Sequence, residues 1–299
     1  MTRRERLLSI FYGDVPDRPA VRLWGARKGQ QLLHPDYLEV REAAVEKTEL
    51  IYGSGAPLDL RWGAQPPPIH TEERETGSEE WIDRVTRIET PAGTLQSVYR
   101  ASTENKPGYT IEHAVKTPED LEKLLSVEYV PTAFEPEHFF EDEEEVGDRG
   151  IAMFSIPHAM YGLQDMVGSE NFALWSRSHR DRMVAVMKEY ADRILGHVKR
   201  ALEAGINSVF GWVGPELCVP PLMSPNDFDE FVTLFDKPII DTIHEEGGRV
   251  WVHCHGGMDP VLERFVDMGV DVLNPLEPPP MGNVTLPEAF DRIGNRMGI

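Results

Sequence analysis

From residue 150 onward, short apolar runs alternate with longer amphipathic stretches, and no other feature limits the folds open to this chain as strongly. Residues 151–156, 207–212, 249–254 and 270–274 are of strand length and largely apolar, the first a buried strand. Between them the spacing turns helical. Met183, Met187, Ala191, Ile194, Val198 and Leu202 fall on one helix face, and Gly205 stops the run. Ser224-Pro225 opens a helix toward His244, with a bend expected at Pro238, and Gly247-Gly248 ends it. Residues 260–268 and 286–293 are also helical by spacing. Strands that alternate with helices need crossover connections, which makes the sheet parallel. Carried through the chain, the pattern predicts an α/β fold: a distorted (β/α)8 TIM-type barrel, with residues 1–299 as a single domain.

The first 150 residues are less regular. A helix is expected over 3–12, with Leu7, Leu8 and Phe11 on one face, and the run from Gly13 to Pro19 breaks it. Residues 20–24 read as a first strand, 35–52 as a helix with Leu38, Val45 and Tyr52 on its apolar side, and 58–60 as a short strand. Two β-rich runs around Thr90-Pro91-Ala92-Gly93 predict a hairpin at about 80–100, inserted before the repeats. At the other end Arg296-Met297-Gly298-Ile299 reads as the opening of another strand. A closed barrel needs that strand and a covering helix, so the C-terminal end reads as truncated.

Composition excludes several classes. The formal net charge is −21, which argues against a large nucleic-acid face. Glu141-Asp142-Glu143-Glu144-Glu145 is a solvated run, and no stretch is long and apolar enough to span a bilayer. The only cysteines are Cys218 and Cys254, which speaks for a reducing cytoplasm rather than a disulfide framework. No Gly-x-Gly-x-x-Gly or Walker-type loop follows a strand, so a nucleotide cofactor is not indicated. The expected partner is a small-molecule substrate, with no nucleic acid and no membrane. Assembly as a homodimer stays open.

The chemistry concentrates in Arg249-Val250-Trp251-Val252-His253-Cys254-His255-Gly256-Gly257. A strand ends there in two imidazoles and a thiol. Alternation puts His253 and His255 on one side and Cys254 on the other. In a parallel α/β barrel that mouth is where reactions occur. Glu277 follows the next strand and Glu216 the preceding one, so both carboxylates are expected at the same rim. His253, His255 and Glu277 form a candidate metal set; Glu216, His255 and Glu277 are candidate proton-moving groups. Arg22 and Arg27 are candidates for an acidic substrate, Trp24 and Trp212 for the walls of a flat ligand, and His158 for a pocket-lining position. The plainer readings are structural imidazoles, a Glu277 that only orients a histidine, core tryptophans, surface salt bridges, and Cys218 as a small apolar filler.

Taken together, several runs resemble the uroporphyrinogen decarboxylase-like superfamily. They are Arg4-Glu5-Arg6-Leu7-Leu8, Pro16-Asp17-Arg18-Pro19-Ala20-Val21, Gly214-Pro215-Glu216, Leu222-Met223-Ser224-Pro225, His253-Cys254-His255-Gly256 and the segment from Gly269 to Pro279. The superfamily contains the decarboxylase itself and zinc-dependent methyltransferases that take methyl groups from corrinoid proteins. The resemblance implies a distorted (β/α)8 barrel, in agreement with the alternation. The methyltransferase branch carries His-x-Cys-Gly at this strand end, where zinc activates a thiol. Here His253 matches the histidine and His255 stands in the cysteine's place, a set that suits zinc or a harder divalent ion. The decarboxylase branch is metal-free. It holds substrate carboxylates with an arginine-rich loop, whose spacing Arg22, Arg27 and Lys28 do not reproduce, and steadies the pyrroles with an aspartate, for which Asp59 lies in the matching region. Asn274, at the strand end in the last of these runs, counts among the substrate-facing residues. The resemblance therefore implies metal-assisted methyl transfer involving a corrinoid (methylcobalamin) protein. The alternatives are a metal-free lyase acting on a polycarboxylate or tetrapyrrole such as uroporphyrinogen, and a non-catalytic binding partner of a corrinoid module.

Overall fold

Strands that are apolar on both faces must be covered on both faces, and the computed structural model places them accordingly. It describes every residue except 28, 30–33 and 105. In chain order the strands are β1 (Leu50–Ser54), β2 (Ile69–Glu75), β3 (Trp81–Thr90), β4 (Gly93–Ser102), β5 (Tyr109–Glu112), β6 (Gly150–Ser155), β7 (Val209–Val213), β8 (Arg249–His253) and β9 (Val272–Asn274). The chain forms two compact units, residues 1–57, 134–157 and 195–299 in the first, and residues 58–133 and 158–194 in the second.

The first unit is α/β, built on a central parallel sheet of five strands in the order β1-β6-β7-β8-β9. Helices Arg3–Phe11, Leu234–Glu245, Leu262–Met268 and Leu286–Ile293 belong to this unit. Leu7 and Phe11 pack with Ile151, Met153, Val209, Trp251 and Val272 in one core cluster. Fully burying an apolar side chain of this size stabilises by about 1.5–3 kcal/mol. Gly211 in β7 lets Trp251 approach, since a Cβ at that position would lie 3.0 Å from the indole. As the strand-like reading of 296–299 implied, Gly298 forms a parallel bridge to Val272 beside β9.

The second unit holds a four-stranded antiparallel sheet, β2-β3-β4-β5. The expected hairpin is its centre, with Thr90 paired to Gly93 across the turn. β2 is exposed along its whole length, whereas β3 and β4 bury Val85, Ile88, Leu95 and Val98.

Four local expectations are corrected. The helix expected over 35–52 stops at Lys47, because the Arg3 guanidinium takes the carbonyls of Val45 and Thr48 at 2.9 and 2.8 Å. The first strand is then Leu50–Ser54, where alternation buries Leu50 and Tyr52. Residues 20–24 are not a strand; both backbone groups of Val21 are taken by Glu49. Residues 58–60 are not a strand either, because the Asp59 carboxylate accepts from the amides of Arg61 and Trp62 and makes a turn. Finally, the helix opened by Ser224 is interrupted by a π-helical turn over Asp229–Thr233, and Pro238 sits inside the helix that follows it.

Candidate active site at the strand ends

The register of β7, β8 and β9 pairs Val213 with His253 and His253 with Asn274, so the strands finish level. The side chains beyond that line converge. The His253 ring places Nδ1 3.1 Å from Asn274 Oδ1 and Nε2 2.8 Å from His255 Nε2. His255 turns its Nδ1 to Glu277 Oε1 at 3.1 Å, and Glu277 Oε2 accepts from the Gly256 amide at 3.3 Å. Gly256 has φ +108°, a conformation that side chains rarely adopt, and a Cβ there would lie 2.9 Å from Val219. The glycine after the two histidines is thus what returns the chain toward the Glu277 carboxylate.

The acceptors at the two ends of this row fix the ring tautomers. Asn274 Oδ1 and the Glu277 carboxylate only accept, so His253 and His255 each donate from Nδ1. The two Nε2 atoms then face each other across 2.8 Å. Burial pushes the His253 pKa below the usual histidine value; the Asn274 bond and Glu216 oppose the shift, while His255 and Arg22 add to it.

Glu216 lies in the 3-10 turn Pro215–Cys218 after β7. Its Oε2 is buried and has no hydrogen-bond partner among the described residues. Cys254 is fully buried, and burial, with Glu216 next, pushes its thiol well above its ordinary value, so it offers no thiolate. Cys218 is buried as well, 3.2 Å from Met223 Sδ, as a packing residue.

A cation forms the other wall. The Arg22 guanidinium lies 4.0 Å from the Trp24 ring centre and 5.4 Å from that of Trp251. Both indoles stand against the His253 ring, at 5.4 and 5.6 Å. Burial lowers the Arg22 pKa to about 10, and its Nε has no partner among the described residues. Arg27 is committed elsewhere, to the buried carboxylate of Asp142.

The structure therefore brings together His253, His255, Glu277, Asn274, Arg22 and Trp24, with Glu216 close enough to act electrostatically on His253. Trp212 is a core residue, 3% exposed. Asp59 and His158 belong to the second unit, where Asp59 makes its turn and His158 is buried just before the helix Ala159–Val167. Lys28 lies outside the described residues. Sequence reasoning missed Trp251, although its position two residues before His253 on one strand face was a usable signal. It also missed a cavity of about 670 Å³ at the ends of β1 and β6, lined in part by Ser54, Ser155, Glu135 and His138.

The donors present can be tested against a metal ion. Two imidazole Nε2 atoms converge, and a carboxylate backs one ring through Nδ1, an arrangement that fits two positions of a divalent ion's shell with an outer carboxylate. Glu277 thus stands behind His255 rather than beside the Nε2 pair. Among the described residues, no group of three or more His, Cys, Asp or Glu side chains is placed to hold an ion.

Residues 152–284 match the family model of uroporphyrinogen decarboxylase (URO-D). The matched stretch covers less than half of the chain. It contains Glu216, His253, His255, Asn274 and Glu277, and leaves out Arg22 and Trp24. No curated protein matches the chain in sequence. Among solved structures, a methyltransferase from Methanosarcina mazei is similar, with a TM-score of 0.60 at 17% identity over 99% of this chain and 81% of that one. At that identity the likeness concerns the fold, and the matched stretch holds the ends of β7, β8 and β9 on which the site is built. No helix among the described residues is long and apolar enough to cross a membrane.

Proposed function

We propose that the chain is a uroporphyrinogen decarboxylase-like enzyme of methyl transfer, acting in the cytoplasm with a corrinoid protein as methyl donor or acceptor. The (β/α)8 reading of its sheet belongs to this proposal. The observation that carries it is the convergence of the His253 and His255 Nε2 atoms at the ends of parallel strands, with Glu277 locking the second ring. A divalent ion, zinc first, would be held by those two nitrogens and would lower the pKa of a substrate nucleophile. The residues themselves do the rest. Asn274 holds the His253 tautomer with Nδ1–H, which leaves Nε2 free to bind or to accept a proton. Glu277 accepts from His255 Nδ1–H and so orients that ring with Nε2 toward the reacting position. Trp24 and Trp251 cover the His253 ring and keep water from that side. The name of the Methanosarcina mazei neighbour agrees with this reading.

The test is elemental analysis of the purified protein, together with its methylcobalamin absorbance spectrum on addition of a thiol. The parent should hold a divalent metal and demethylate the corrinoid. His253→Ala/His255→Ala should lose both properties. Equal metal content in parent and variant, with no spectral change in either, would end the proposal.

One observation favours a second reading, a metal-free lyase acting on a polycarboxylate. Arg22 stands against the site without a hydrogen-bonded or ion-pair partner among the described residues. A substrate carboxylate would complete it. Decarboxylation that survives exhaustive chelation, and whose KM rises in Arg22→Gln, would replace the first reading with this one.

A further inference from the structure

The opening runs Arg4-Glu5-Arg6 and Pro16-Asp17-Arg18-Pro19 are absorbed by no part of the site. The structure gives them a common partner in Glu49, which is completely buried. Arg6 donates to Glu49 Oε1 at 2.7 Å and Arg18 to the same oxygen at 2.6 Å. Arg6 also holds Asp17 in a two-point contact at 2.6 and 2.8 Å. Two cations and two carboxylates are thereby neutralised together, and Glu49 Oε2 accepts from the Val21 amide at 2.7 Å, with a longer bond from Arg18 at 3.5 Å. The Glu49 amide donates back to Val21 O at 2.8 Å. Val21 is the residue before Arg22. At the other end of the same arm, Arg27 is tied to the buried carboxylate of Asp142 and lies 4.7 Å over the Tyr52 ring. Residues 22–26 are therefore stretched between two anchors.

We infer that Glu49 is a positioning residue: through the Val21 amide it seats the arm that carries Arg22 and Trp24 against the His253 ring. The inference deepens the reading of the strand-end site and rests on it only in treating His253 as functional. A buried carboxylate with two guanidiniums is a costly way to gain stability, since apolar replacements often do as well. What it supplies here is a fixed acceptor with a defined direction. The segment it fixes has no ladder of its own and is largely exposed, and the two Glu49 bonds to Val21 tie its backbone at this end. The opening motif would then be read as the clamp of the site's cationic wall.

The test uses the full chain with labelled histidine and reads the His253 ring signals by NMR, which needs neither metal nor methyl donor. A failure of methyl transfer would thus leave this test intact, and its own failure would leave the proposed reaction untouched. Trp24 stands edge-on to His253, so its ring current displaces those signals. Trp24→Ala should shift them. Glu49→Gln should shift them to the same position, and the double variant should add nothing. Ile293→Ala, a destabilising change in the core of the same unit, should leave them in place. If Glu49→Gln does not fold, Arg18→Gln removes only one half-exposed partner and should give the same shift in part. A Glu49→Gln or Arg18→Gln protein that loses thermal stability while His253 keeps its parent signals would show that Glu49 is merely structural. A Trp24→Ala protein with unmoved signals would show that the arm does not sit on His253. Either result overturns the inference.

Discussion

At the scale of single residues, His253 is where the forces on the site can be separated. Its burial favours the neutral ring, and so do the positive charges on His255 and Arg22; the Asn274 bond and Glu216 oppose them. The ring should therefore titrate below the ordinary histidine value of about 6.5. In metal-free protein followed by NMR, two substitutions should move it in opposite directions. Asn274→Ala removes an acceptor that stabilises the protonated ring, so the midpoint falls further. Arg22→Gln removes a repelling cation, so the midpoint rises. If both shift it in the same direction, the described wall of charges is wrong. The row from Asn274 to Glu277 was legible in sequence because neighbouring parallel strands end together and residues two apart share a face. Which imidazole nitrogen meets the Glu277 carboxylate was not legible, because ring orientation depends on the turn at Gly256. Nor was the lack of a hydrogen-bonded partner for Arg22 among the described residues, since in a chain with 51 acidic residues any arginine looks easy to pair.

At the scale of elements, the parallel strands after residue 150 were readable because burial on both faces leaves an uninterrupted apolar run. β1 was not, for a specific reason. Leu38, Val45 and Tyr52 are spaced as on one helix face, and the helix ends where Thr48 turns its hydroxyl back to the Ala44 carbonyl and a distant residue, Arg3, takes the carbonyls of Val45 and Thr48. Likewise, Pro238 predicts a bend, and spacing gives no sign of the π-helical turn that precedes its helix. The helix Arg180–Glu203 carries another cost that patterning hides. His197 on that helix is 1% exposed, and its ring lies 5.3 Å from Phe134 and 5.5 Å from Phe154. Burial, with Arg200 adding, pushes its pKa down to about 4. Between that value and the unfolded value of 6.5 the unfolded chain binds a proton that the folded one does not, so acidification weakens the fold across this window. The full effect is about 3 kcal/mol. His197→Leu should flatten that part of the stability profile, measured as the urea midpoint at successive pH values. A parent and variant that lose stability in parallel would show that His197 is already charged or solvated.

At the scale of the whole chain, a net charge of −21 and a set of paired carboxylates pull in opposite directions as the pH falls. Protonation relieves diffuse repulsion, which favours the compact state, but at physiological salt that repulsion is screened beyond about 8 Å. The paired groups are not screened in the same way. In the first unit, burial works against the Glu49 charge, yet the bonds from Val21, Arg18 and Arg6 outweigh it and hold the carboxyl below its usual range. Arg6 holds Asp17 down to about 2, and the Arg292 hydrogen bond lowers Glu263. In the second unit Arg100 lowers Asp83, with Arg74 adding to it. For a carboxyl lowered on folding, the stabilisation is complete above its unfolded pKa and is lost as the pH falls through the folded one. Loss should therefore begin below about pH 4.5, the ordinary glutamate value, and continue toward pH 2. Glu49→Gln should start from a lower stability at neutral pH and fall less steeply in acid, and Asp83→Asn should do the same through the second unit. Circular dichroism at fixed temperature across this range reads both slopes. If the acid limbs of parent and both variants superimpose, diffuse charge rather than these ion pairs governs the stability of the molecule in acid.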